Sequence, residues 1–81
     1  MEELIRAIVE PIVKDKESLM IKTMPAVEGE PLEIIIISNK ADTARLIGKN
    51  GIVAEAIREV VSIKSRLDNI RVRVKFESYD E

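Results

Sequence analysis

The stretch Leu46-Ile47-Gly48-Lys49-Asn50-Gly51 constrains this chain more than any other. Apolar residues at helical spacing run up to Gly48 and resume at Ile52, so the segment reads as two helices broken by a four-residue G-x-x-G loop. Gly48 stands where the first helix stops, because glycine takes a left-handed cap conformation without a Cβ clash. Gly51 stands where the next helix begins. Between them, Lys49 and Asn50 are held out at a helix N-terminus, where unpaired N–H groups and the positive end of the dipole favour an anion. The parts suit a phosphate of a nucleic-acid backbone. Two glycines at this spacing also occur in ordinary helix–turn–helix corners, so the flanks decide.

Upstream, Leu4, Ile5, Ile8, Val9, Ile12 and Val13 follow the i, i+3, i+4, i+7 template of an amphipathic helix, with Arg6, Glu10 and Lys14 opposite. Pro11 removes an N–H and crowds the carbonyl of Ala7. The stripe keeps its phase through Val13, which predicts a kink there, not an end. Leu19 to Met24 reads as a strand, Pro25 to Pro31 as a turn-rich connection, and Leu32 to Ser38 as a second strand with four consecutive isoleucines. A short link predicts an antiparallel pair. Asn39 or Asp42 can cap the short helix before the loop. Ile52 to about Leu67 forms a long helix without Gly or Pro. Asp68-Asn69 is a turn, and Ile70 to Phe76 alternates as a third strand, followed by a polar tail expected to fray.

The predicted order is therefore α-β-β-α-α-β, an α+β class. The strand–helix–helix–strand crossover makes the third strand parallel to a neighbour. All three helices pack on one face of a three-stranded mixed sheet. Lys22, Glu33, Arg71, Arg73 and Lys75 suit the open face.

Charge and composition narrow the function. The net charge is −2, but residues 40–71 carry seven basic and four acidic side chains, +3 net, which leaves −5 elsewhere. The basic excess coincides with the loop, and the local field matters more to a phosphate than the total. With no Cys and no His, thiolate and imidazole metal sites and nucleophile–base pairs of those types are excluded. No Walker A spacing occurs, so the chain is not expected to be an enzyme and implies no cofactor and no metal. Arg6 and Glu10 break the N-terminal apolar run, and the longest such run, Ile34 to Ile37, is too short to span a bilayer. A cytoplasmic protein with no membrane partner is the expectation.

In its context the loop reads Leu46-Ile47-Gly48-Lys49-Asn50-Gly51-Ile52-Val53-Ala54-Glu55-Ala56-Ile57. This resembles the KH-domain signature Val/Ile-Ile-Gly-x-x-Gly-x-x-Ile-x-x-Ile, with Ala54 in place of an isoleucine. The helix–strand extension at about 2–24 precedes the core at about 32–76, so the whole chain, 1–81, resembles a single type II KH domain of the KhpA-like family of bacterial proteins.

The resemblance implies single-stranded RNA as partner. The loop would clamp the backbone of about four unpaired nucleotides, with bases in an apolar groove beside it. Gly48, Lys49, Asn50 and Gly51 would hold phosphates, Arg45 would supplement them, and Ile47 and Ala54 would help floor the groove. Phe76 and Tyr79 are the only aromatics, which disfavours folds that stack bases on aromatic platforms. The resemblance also implies a homodimer, an RNA-chaperone or post-transcriptional role, and pairing with a larger KhpB-like protein in control of cell elongation, division and shape.

Two other readings compete. A helix-turn-helix DNA binder would share the Gly-containing corner, but the flanking strands and the acidic Glu55 and Glu59 on the long helix oppose it. A protein-interaction module on the same fold is the stronger rival. Apolar residues cover roughly 200° of the long helix, where one buried face needs little more than half of that. The excess, Ala56, Val60, Ile63 and Leu67, predicts a dimer interface with Val60 at its centre. The alternative is that Val60 belongs to the core.

Overall fold

The computed structural model describes residues 1–25 and 27–79. Their order is α1 (Glu2–Val9), β1 (Met20–Thr23), β2 (Leu32–Ser38), α2 (Lys40–Ile47), α3 (Ile52–Leu67) and β3 (Val72–Ser78), with 3₁₀ turns at Lys16–Ser18 and Lys49–Gly51. The α-β-β-α-α-β reading holds. The sheet order is β1-β2-β3, antiparallel between β1 and β2 and parallel between β2 and β3.

Strand alternation turns Ile34 and Ile36 of β2, Ile21 of β1 and Val74 of β3 to one face, where they are buried. The helices cover that face with Ile5 and Val9 from α1, Leu46 from α2, and Ile57 and Val61 from α3. Burying side chains of this size stabilises by about 1.5–3 kcal/mol each. The other face carries Lys22, Arg73 and Lys75 in solvent, with Lys75 ion-paired to Glu33 at 3.5 Å.

Three boundaries differ from expectation. Pro11 ends α1 instead of kinking it: the helix stops at Val9, two residues before the proline. A turn follows in which the N–H groups of Ile12 and Val13 both donate to the Val9 carbonyl, at 3.0 and 3.2 Å. That turn keeps the phase, so Val13 is still buried. The first strand starts at Met20, because the N–H of Leu19 closes the preceding 3₁₀ turn onto Lys16. The third strand starts at Val72, not Ile70, and runs into the expected tail as far as Ser78. Ile70 belongs to the end of α3. Its N–H donates to Ser65 O (2.9 Å) and that of Asn69 to Arg66 O (3.2 Å), with Asn69 at φ 56°. This is a Schellman cap with asparagine in the left-handed position. Of the expected tail, Asp80 and Glu81 lie outside the described residues, as does Ala26 of the β1–β2 connection.

Candidate nucleic-acid interface

The loop is built by its glycines. Gly48 closes α2 by donating to Ala44 O at 2.9 Å, and lies at φ 74°, ψ 174°, a region open in practice to glycine alone. A Cβ there would stand 2.4 Å from Val53 Cγ2 and 3.0 Å from the Val53 nitrogen. Gly48 therefore serves twice, for its dihedrals and for the close approach of α2 to α3. Asn50 (φ 58°) and Gly51 (φ 78°) are left-handed, and Gly51 leads into α3 with no side chain capping the helix. Lys49 and Asn50 are exposed, and Lys49 makes no ion pair among the described residues. The N–H groups of Gly51 and Ile52 are taken by Gly48 O and Lys49 O, so the result is an exposed cation beside a helix N-terminus that no side chain caps, whose positive dipole end attracts anions.

The base of the loop is pinned by buried polar groups. Asn39 caps α2, accepting from the Asp42 N–H at 2.8 Å. That leaves the Asp42 carboxylate, 1% exposed, to accept from the N–H groups of Lys14 and Asp15, both at 3.0 Å, and from Arg45 Nη1 at 2.7 Å. These two N–H groups and then Arg45 hold the Asp42 carboxyl below the usual carboxylate range against the opposing effect of burial. The buried hydroxyls of Ser38 and Thr43 lie 2.7 Å apart, and Thr43 Oγ1 is within 3.2 Å of Glu77 O, which ties β2, α2 and β3 together below the loop.

The site residues named from sequence fall in four places. Gly48, Lys49, Asn50 and Gly51 form the loop, with Ile47 exposed at its root. Arg45 is engaged by Asp42, so it can approach a phosphate only with the N–H groups that this pair leaves over. Ala54 faces the core at 3% exposure and has almost no surface to offer. Ala56, Val60, Ile63 and Leu67 all lie on the outer face of α3. Val60 is 42% exposed, Ile63 56% and Leu67 78%, so none of the three is core. Ile52, 66% exposed, continues the same stripe. At 100° per residue these five span roughly 80° of the helix circumference, on the side away from Ile57 and Val61.

Sequence reasoning missed the groove between α3 and the edge strand β3. It is an open cleft of about 430 Å³ lined by Pro31, Arg58, Val61, Ser62 and residues 71–74. Arg58 crosses it, donating from Nε and Nη2 to Val74 O, both at 3.3 Å, with its guanidinium 5.3 Å from the Phe76 ring centroid. Arg58, Arg71 and Arg73 make no ion pair among the described residues. The available signal was phase: Arg58 lies one turn beyond Ala54 and on nearly the same side of the helix. No helix among the described residues is long and apolar enough to cross a membrane.

Comparison with known proteins matches residues 2–76 to the family KhpA/KhpB, KH domain. The RNA-binding protein KhpA of Listeria monocytogenes serovar 1/2a is 35% identical over 75 residues, covering 93% of this chain and 96% of that protein. RNA-binding protein KhpA of Listeria innocua serovar 6a has the same identity and coverage. No solved structure matches the sequence significantly.

Proposed function

This chain belongs to the KhpA/KhpB KH-domain family, with the α-β-β-α-α-β order of a type II KH fold, and we propose that it binds single-stranded RNA through the Gly48–Gly51 loop and the adjoining α3–β3 groove. The observation that carries this reading is the loop: Gly48, in a conformation open to glycine alone, and a left-handed Gly51 present Lys49 and Asn50 at the start of α3, which no side chain caps. A phosphate takes the Lys49 charge and the helix N–H groups. The bases lie toward Arg58, Val72 and Arg73, where carboxylate-free arginines favour a polyanion. The naming of its relatives as RNA-binding proteins supports the same partner and a role without catalysis.

The domain acts as one unit, with residues 32–76 as the binding core and 2–24 as its support. It works in the cytoplasm as a small RNA chaperone or post-transcriptional regulator. The exposed stripe from Ile52 to Leu67 supports self-association, α3 against α3 about a two-fold axis. A dimer places two short clamps on one particle, and a single RNA gains avidity from both. The same stripe favours a second reading, in which the main role is pairing with a larger KhpB-like protein in the control of cell elongation and division.

The test is the Lys49→Asp/Asn50→Asp double variant. Both side chains are exposed, so the fold survives, and two carboxylates now stand where the phosphate sits. In a fluorescence-anisotropy titration with single-stranded RNA, affinity falls at least about tenfold, roughly 1.4 kcal/mol. Wild-type affinity weakens with salt. Equal affinity of the two proteins removes the loop from the mechanism.

A further inference from the structure

Resting for its consequence on the single-stranded-RNA reading above, we infer that Asn50 is a deamidation site that the closed G-x-x-G loop guards, and that its modification switches the loop off. The chain has three asparagines, Asn39, Asn50 and Asn69, and no glutamine. Lys40 and Ile70 follow the first and the last, and their side chains shield the backbone nitrogen that would react. Gly51 follows Asn50 and offers no such shield. The reaction is a ring closure. The backbone nitrogen of Gly51 loses its proton and attacks Cγ of the Asn50 side chain. The new N–Cγ bond closes a five-membered succinimide, and the side-chain amide nitrogen takes up a proton and leaves as ammonia. Water then opens the ring. Breaking the N–Cγ bond gives aspartate; breaking the original peptide bond gives isoaspartate, in which the chain runs through Cβ and Cγ.

The native loop opposes that closure in two ways. Attack needs the Gly51 nitrogen on the same side of the Asn50 Cα–C bond as Cβ. Asn50 is left-handed, at φ 58° and ψ 22°, which turns that nitrogen to the far side, so the bond must rotate by more than a right angle. The N–H of Gly51 is also engaged, donating to Gly48 O at 3.1 Å. Both guards belong to the backbone. The Asn50 side chain is exposed and makes no hydrogen bond among the described residues, so an opened loop leaves nothing to restrain it. The rate therefore follows the fraction of molecules whose loop is open. A phosphate seated at the closed loop lowers that fraction, because a ligand of one state depletes the other. Idle protein is modified and RNA-bound protein is spared. Either product carries a carboxylate that offsets the charge of Lys49, the one cation of the loop, and repels a phosphate. Isoaspartate also lengthens the backbone between Lys49 and Gly51 by one carbon, which breaks the left-handed turn.

The experiment ages the full chain in warm, mildly alkaline buffer under three conditions: folded, folded with excess single-stranded RNA, and unfolded in guanidinium chloride. Mass spectrometry follows the one-dalton gain from amide to acid, and peptide mapping places it. The unfolded chain gains it at Asn50 ahead of Asn39 and Asn69. The folded chain gains it at least about tenfold more slowly. RNA slows the folded chain by a further factor of about three or more. Separately, Asn50→Asp supplies the aspartate product in protein that has not been aged. Aspartate tolerates the left-handed conformation of this position, so the variant keeps its circular dichroism spectrum. In fluorescence anisotropy it binds single-stranded RNA about threefold or more weakly than wild type. Equal rates in the folded and unfolded chain overturn the guard, and a gain that comes first at Asn39 or Asn69 overturns the site. A folded rate that bound RNA leaves unchanged overturns the sparing of occupied protein. Equal affinity of Asn50→Asp and wild type overturns the switch while leaving the RNA-binding reading intact. If wild type binds no RNA, that reading fails and the switch with it, whereas the guarded site stands or falls on the mass measurement alone.

Discussion

Replacing Gly48 by alanine separates two costs that the structure assigns to one atom. The first is conformational. At φ 74°, ψ 174° a non-glycine residue costs about 1–3 kcal/mol. The second is steric. The new Cβ would lie 2.4 Å from Val53 Cγ2, 2.9 Å from Val53 Cβ and 3.0 Å from the Val53 nitrogen. The methyl can rotate away, but Cβ and nitrogen are fixed by the first turn of α3, so that turn must move. Overpacking of this kind costs about 1–3 kcal/mol. Together Gly48→Ala should cost about 2–6 kcal/mol, against a total stability of about 5–15 kcal/mol for a domain of ordinary stability. Gly51→Ala is the control. It sits at φ 78°, ψ 13° with nothing within 4 Å of the added methyl, so only the left-handed penalty of about 1–2 kcal/mol applies. Urea denaturation followed by circular dichroism measures both, at an unchanged m-value. Val53→Ala in the Gly48→Ala background removes the 2.4 Å overlap but not those to Cβ and nitrogen, and so recovers part of the loss. If the two alanine variants are equally stable, or if Val53→Ala recovers nothing, the close approach of α2 to α3 is not what requires glycine.

The Asp42 clamp gives a pH signature. Its folded pKa is depressed by the Lys14 and Asp15 N–H groups and by Arg45, so its contribution is complete above the unfolded value of about 3.9 and is lost as pH falls through the folded one. Asp42→Asn is therefore less stable at neutral pH and loses less on acidification, and parallel stability-versus-pH curves for the two proteins would contradict the clamp. Val60→Lys should leave the circular dichroism spectrum unchanged, since Val60 is exposed, and should yield a monomer by light scattering because pairing would desolvate two like charges. A variant that associates as wild type does, or a monomeric wild type, refutes the α3 interface.

Periodicity carried most of the fold because it reports local facts. The 3.6-residue stripe of α1, the isoleucine run of β2 and the alternation of β3 each show which side chains share a face, and those faces are the buried ones. Periodicity does not report where an element ends when a neighbour sets the end. Ile70 has the right phase for β3, yet its N–H closes α3 onto Ser65, and the strand begins only where Val72 pairs with Leu32. Pro11 illustrates the converse. The apolar phase continued to Val13, so a kink was the natural reading, but a turn holds the same phase as a helix for four residues, and Val9 O accepts both Ile12 and Val13.

The site divides along the same line. The G-x-x-G loop is legible because all its geometry lies within a few residues, and the outer stripe because helical spacing alone defines it. Asp42 and Arg58 are not, since their partners are 28 and 16 residues away and depend on how elements meet. Yet helical phase also relates what was read to what was missed. At 100° per residue, Arg58 lies roughly 160° from the centre of the stripe formed by Ile52, Ala56, Val60, Ile63 and Leu67. One helix thus begins at the G-x-x-G loop, turns one flank to the groove, and presents the opposite flank as an unburied apolar surface. A second copy docked on that flank would leave the groove open, so the proposed RNA binding and the proposed association through α3 would not compete for space. The two proposed activities are then separable by mutation: Val60→Lys should remove avidity on long RNA while leaving affinity for a short strand unchanged, and Arg58→Lys should weaken short-strand affinity in monomer and dimer alike.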